Sequence, residues 1–216
     1  YRYPLDHHSR LRYGAVPGVD AKVPSDLSRG YHLVTLALAW RATGDACYRR
    51  EALAQMLDWL VQNPFEYGPA WRANMNVAIR AANWSAALDV LGGEPGTFDE
   101  AVRRSLLDHR RYIAANLEFS EAVHHPNHYV ANLAGMLVLC AYLGESDPEA
   151  AAWRRLALRE LGRELDTQVL DDGFDHESAT AYHALVLEMV TFSLLEAARA
   201  GGGAETPAAA REWITD

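Results

Sequence analysis

The sequence predicts an all-α fold of consecutive antiparallel helical hairpins. Three observations carry that prediction. From Ser25 onward apolar residues recur with the 3.6-residue period of helices, and strand alternation never persists. Each periodic segment ends at a helix-stopping signal: Gly44, Asn63-Pro64, Gly92-Gly93, Gly144 and Gly201-Gly202-Gly203. The chain has 216 residues, 50% apolar and 23% charged, which suffices for one domain with a substantial core.

Residues 1–24, with Pro4, Gly14, Pro17 and Gly18, read as an extended lead-in to a helical domain over 25–216. Pro24-Ser25 introduces a first helix over 26–42. The second covers 46–62 and ends where Pro64 forbids continuation. The third covers 71–91. A capping box, Thr97-x-x-Glu100, opens the fourth, which extends to 117. The fifth follows Pro126 and ends near Gly144. Asp147-Pro148 is an N-cap with proline in the first turn, opening a sixth helix that reaches 168. The seventh spans 178–200, and 207–216 reads as the start of an eighth.

Composition excludes several functions. The formal charge is −9, from 20 basic and 29 acidic side chains, which disfavours a general nucleic-acid binder. No run of about 18 uninterrupted apolar residues exists, so no membrane span is expected. Cys47 and Cys140 fall inside helical patterns and read as two inert buried thiols rather than a disulfide. The chain begins at Tyr1 without Met and stops just as a helix starts, so an excerpt of a longer polypeptide is expected.

Connections alternate in length. Those at 43–45, 92–97 and 144–147 are short, whereas 63–70, 118–126 and 169–177 are longer. In an up-down array the long ones share one end, and long loops on a rigid scaffold are where function concentrates. They carry Phe65, Glu66, Tyr67, Trp71 and Arg72; then His124, His125, Asn127, His128 and Tyr129; then Asp171, Asp172, Asp175, His176 and Glu177, with Tyr182 and His183 one turn further on. Helix starts at that rim add a positive potential suited to an anionic ligand. Arg72, Asn76, Arg80 and Asn83 follow i, i+4, i+8, i+11, a polar stripe that reads either as a solvated outer face or as a wet cavity wall fit to hold sugar hydroxyls and carboxylates.

Other motifs point less well. Asp171-Asp172-Gly173-Phe174-Asp175 matches a magnesium-chelating Asp-Asp-x-x-Asp pattern, but a glycine interrupts it and it precedes a helix rather than lying on one. His124, His125 and His128 lack a fourth zinc ligand of convincing spacing. No metal or cofactor is therefore expected. Asp172 and Glu177 leave open a glycosidase acid–base pair.

Five ordered blocks then become recognisable: 20–29; Asn63-Pro64 with Gly68-Pro69-x-Trp71; Ala78-Ile79-Arg80-Ala81-x-Asn83-Trp84; Asn127-His128-Tyr129-x-x-Asn132-Leu133-x-Gly135; and Asp172-Gly173-x-x-x-Glu177-x-x-x-x-Tyr182-His183. Over about 20–200 the chain resembles the helical domain of heparinase II/III-type polysaccharide lyases. The resemblance implies an incomplete (α/α) toroid, followed in the family by a β-sandwich that this chain does not contain. It implies β-elimination on a uronic-acid-containing polysaccharide, with Asn127, His128 and Tyr182 catalytic and a further histidine supplied by the β-sandwich. Trp71 would then stack on a sugar ring, with Arg72, Asn76, Arg80 and His183 binding substrate and Glu177 orienting the tyrosine or an imidazole. A periplasmic or secreted location would follow from the same analogy.

The chemistry explains these residue types. Elimination removes the C5 proton of a uronate, forms the C4=C5 double bond and expels the C4 oxygen. The Asn127 amide and His128 would donate hydrogen bonds to the uronate carboxylate, worth about 3–4 kcal/mol per donor in the transition state. Tyr182 would protonate the leaving oxygen and, as a phenolate, take the C5 proton in a syn elimination. Two other readings stay open: an (α/α)-toroid glycoside hydrolase with paired carboxylates, and a non-catalytic toroid that binds glycan or scaffolds a partner domain.

Overall fold

The computed structural model describes residues 5–12, 14, 17–20, 22–92, 97–119, 127–144 and 148–201. Eight α-helices lie among them: α1 Lys22–Leu27, α2 Tyr31–Thr43, α3 Ala46–Gln62, α4 Asn74–Leu91, α5 Thr97–Ala115, α6 Asn127–Leu143, α7 Pro148–Gln168 and α8 Thr180–Gly201. Among the described residues, β-structure amounts to two isolated bridges, His7 with Tyr67 and Val169 with Asp175. The all-α, hairpin-built fold read from the sequence is the fold observed. His124, His125, Pro126, Asp147 and the expected eighth helix lie outside the described residues.

The first expected helix is in fact two. Gly30, at φ +75°, separates α1 from α2. A Cβ there would lie 3.3 Å from Leu33 Cδ1 and from Trp84 Nε1, so a side chain at this position needs a left-handed backbone and neighbours that give way. The apolar period runs on through the break, which is why periodicity alone joined the two. The third expected helix also starts late. Gly68 at φ +84° leads into a 3-10 turn, Pro69–Trp71, and regular helix begins only at Asn74. The fourth ends at Ala115, two residues early.

The chain divides within α5 into two compact units, Tyr1–Tyr112 and Ile113–Asp216. In the first, α2 packs on α3 and α4. The α4 helix is buried along most of its length, from Met75, Val77 and Ala78 to Leu88 and Leu91, with Asn76 and Arg80 buried among them. The lead-in is not idle: a 3-10 turn at His8–Arg10 follows the His7–Tyr67 bridge, and Leu11 is buried.

In the second unit α6 is the central helix, buried from Tyr129 through Cys140 and packed against α7 and α8. By length and composition α8 is apolar enough over Thr180–Ala200 to cross a membrane, although no uninterrupted apolar run marks it in the sequence. Its Val186, Val190, Leu194 and Ala197, spaced i, i+4, i+8, i+11, are buried, and α6 is the helix it packs on.

Both cysteines are free, but only Cys140 is buried. Cys47 is exposed because it sits in the first turn of α3, where its N–H is capped by Asp45 Oδ1 at 2.8 Å. Hydrogen bonding to the Asp45 carboxylate pushes the Cys47 thiol up, away from a reactive thiolate.

Candidate functional site

The start of α6 and the segment entering α8 meet through one carboxylate. Asn127, the first residue of α6, is 5% exposed, and its N–H and Nδ2 both donate to Glu177 Oε1, at 3.0 and 2.7 Å. A carboxylate there also suits the positive end of the α6 dipole. The amide nitrogen carries two protons, so Glu177 takes one and fixes where the other points. The Glu177 side chain thus holds the asparagine.

Glu177 is itself placed by its turn. Gln168 to His176 fold back as a small hairpin, with Leu170 N–H donating to Phe174 O at 2.9 Å and His176 N–H to Gln168 O at 2.8 Å. Gly173 turns it at φ +81°. Asp172 accepts from Phe174 N–H, whereas Asp175 is 1% exposed and accepts from Glu177 N–H at 3.0 Å. The acidic run therefore serves the hairpin, its carboxylates used at separate points. Ser178 follows at φ +57°, a left-handed conformation for a non-glycine residue.

His183 closes this turn onto α8. Its Nδ1 accepts from Asp175 N–H at 3.3 Å, and its ring stacks on Phe174 with centroids 4.4 Å apart. Tyr182, beside it, is 42% exposed. At the other side of Asn127, His128 Nδ1 lies 3.1 Å from Glu118 Oε1. Buried Asn132 grips the same glutamate, donating from Nδ2 to Oε2 at 3.1 Å and accepting from Glu118 N–H at 2.8 Å. Sequence reasoning missed Glu118, although it stands in a long connection it singled out, and it named Asp175 without its role in holding Glu177.

In the first unit the expected sugar-binding residues are largely enclosed. Trp71 is 2% exposed, ringed by Trp59, Phe65, His109 and Tyr112, and its indole N–H donates to Asn63 O at 3.3 Å. No ring face is left open for a sugar. Arg80 is fully buried, donating from Nε to His109 Nε2 at 2.9 Å and from Nη1 to Ala70 O at 3.0 Å, beneath the Trp59 ring at 4.2 Å. Burial pushes its guanidinium down to about 9. His109 Nδ1 donates to Ser105 O at 2.7 Å, and burial, with Arg80 beside it, keeps that imidazole neutral.

Asn76 is buried too, accepting from Arg29 Nε at 2.8 Å, and Arg72 Nε donates to Leu11 O at 3.3 Å. Asn76 and Arg80 therefore form an internal clamp rather than a wet wall, because their partners come from segments that the helical period cannot reveal, whereas Arg72 is exposed. A separate cavity of about 500 Å³ opens between α2 and α3, lined by His32, Asp58, Trp59, Gln62, Asn63 and Trp84 among others.

A family model described as Heparinase II/III N-terminus matches residues 7–215. The chain belongs to this family. A heparin-sulfate lyase of Bacteroides stercoris is 24% identical over 194 residues, covering 80% of this chain and 28% of that protein. One from Pedobacter heparinus is 25% identical over 195 residues, covering 86% of this chain and 28% of that protein. The heparinase II/III-family chain thus spans less than a third of these curated relatives.

Solved structures agree on the fold. The heparan sulfate lyase HepC from Pedobacter heparinus superposes with a TM-score of 0.68 at 22% identity, over 99% of this chain and 34% of that one. A heparinase III structure gives 0.70 at 16% identity, over 98% and 32%. The (α/α)-toroid type of helical hairpins expected from the sequence is the fold of the matched region.

Proposed function

We propose that this chain is the helical part of a polysaccharide lyase that cleaves a uronic-acid-containing, acidic glycan by β-elimination. The heparin-sulfate lyases it resembles suggest the heparin and heparan sulfate class of substrate. The observation that carries the reading is the Glu177 clamp on Asn127, because it leaves one amide proton of a rigidly held asparagine to donate elsewhere.

In the proposed reaction, Asn127 and His128 donate hydrogen bonds to the uronate carboxylate and stabilise the charge that develops on it as C5 is deprotonated. The C5 proton passes to the Tyr182 phenolate in a syn elimination, or to the β-sandwich histidine in an anti one; the C5–H electrons form the C4=C5 double bond and the C4–O bond breaks. Tyr182 gives its proton to the departing oxygen. Glu118 and Glu177 act as positioning residues, each fixing one donor. Substrate contacts at Arg72 and His183 remain part of the proposal. Trp71, Asn76 and Arg80 would act by supporting the first unit's interior rather than by touching sugar. A β-sandwich domain supplying a further histidine is the proposed partner.

The test is product chemistry on the full-length protein with a panel of acidic polysaccharides. Elimination creates near-ultraviolet absorbance from the new double bond. Reducing ends without that absorbance would identify a hydrolase, and neither signal would identify a binding or scaffolding module. Asn127→Ala should lower kcat by about 100- to 1000-fold with a much smaller change in KM. A raised KM at unchanged kcat would reduce Asn127 to substrate binding.

A further inference from the structure

The lead-in brings two imidazoles against a carboxylate of the α3–α4 connection, in the first unit and outside the site described above. One potential ligand atom from each of His7, His8 and Glu66 lies within 4.8 Å of the other two. His7 Nε2 is 3.6 Å from Glu66 Oε2, and the two histidine rings have centroids 4.5 Å apart. The backbone holds these segments together, with His8 N–H donating to Glu66 O at 2.9 Å and Gly68 N–H to Asp6 O at 2.8 Å.

The hydrogen bonds around the rings set which nitrogen can bind an ion. Tyr112 has one hydroxyl proton and donates it to Trp71 O. It must therefore accept from His8 Nδ1–H, 3.0 Å away, which leaves the His8 lone pair on Nε2. His7 Nδ1 accepts from Ser9 N–H at 3.4 Å and lies 2.9 Å from Ser9 Oγ; an ion on Nε2 moves the proton to Nδ1, which then exchanges the first contact for donation to Ser9 Oγ. Such outer partners are what orient metal-binding histidines and fix their tautomers.

We propose that His7, His8 and Glu66 form a binding site for zinc or a similar divalent transition metal. Two imidazoles and one carboxylate are a zinc-type ligand set with a fourth position left for water. Calcium and magnesium, which take oxygen ligands, are poorly served by it. Bonds of about 2.0–2.2 Å require donors about 3.3 Å apart, so the side chains must draw in by roughly 1.5 Å. His7 and Glu66, with side chains 35% and 39% exposed, have room to do so. The ion would staple the lead-in to the α3–α4 connection, joining positions far apart in the sequence, and add its binding free energy to the fold.

Metal-stripped full-length protein, with His7→Ala and Glu66→Gln variants, tests this. Wild type should bind one more equivalent of zinc than either variant and unfold at a temperature that rises with zinc concentration. Cobalt(II) should give visible absorption bands in wild type that both variants lack. The near-isosteric Glu66→Gln, checked by far-ultraviolet circular dichroism, separates lost ligation from misfolding. Equal zinc stoichiometry in wild type and variants, or a thermal shift that survives in both, would overturn the proposal.

Discussion

At the scale of the residue, Glu177 separates two chemistries. As a positioning group it needs only an acceptor oxygen facing Asn127, which both glutamate and glutamine provide. Glu177→Gln should therefore retain most turnover. Glu177→Ala should lower kcat and destabilise the fold by about 1–3 kcal/mol, because it strands the N–H and Nδ2 of a buried asparagine. A hydrolase that used Glu177 as acid or base would lose activity equally in both variants. Steady-state kinetics and urea denaturation of the pair decide the matter. This clamp was only partly legible in the sequence. Asn127 and Glu177 stood out by type and spacing, but which partner Glu177 takes depends on the hairpin that Gly173 turns.

At the scale of the element, helix periods and stop signals located most helices within a few residues, because Gly and Pro act locally. They failed at Gly30, where the decisive constraint is tertiary: Trp84 approaches from a helix more than forty residues on, against a position that has no Cβ. Gly44 offers a control, since its φ is +71° but a Cβ would meet nothing within 4 Å. Gly44→Ala should cost about 1–2 kcal/mol from backbone conformation alone. Gly30→Ala should cost measurably more in the same urea titration. Equal losses would show that close approach at Gly30 is irrelevant. The buried polar stripe of α4 escaped the sequence for a similar reason. An i, i+4 pattern of Arg and Asn looks the same whether it faces water or, as here, Arg29 and His109.

At the scale of the whole molecule, buried His109 ties stability to pH. An unfolded imidazole takes up a proton below about pH 6.5, whereas burial and Arg80 hold the folded one well below that. The unfolded state then binds more protons, so stability falls with pH by about 1.4 kcal/mol per unit below 6.5. His109→Gln, whose amide can accept from Arg80 and donate to Ser105, should remove about one proton from that dependence in denaturant titrations between pH 5 and 7. An unchanged slope would place the pH sensitivity elsewhere. The lyase reading makes its own demand on the intact protein, that a phenol in the first turn of α8 delivers the proton to the departing sugar. The most direct measurement compares near-ultraviolet product formation from heparan sulfate by full-length wild type and Tyr182→Phe. The account predicts loss of turnover in the variant with an unchanged circular dichroism spectrum; elimination at a near-normal rate would contradict it.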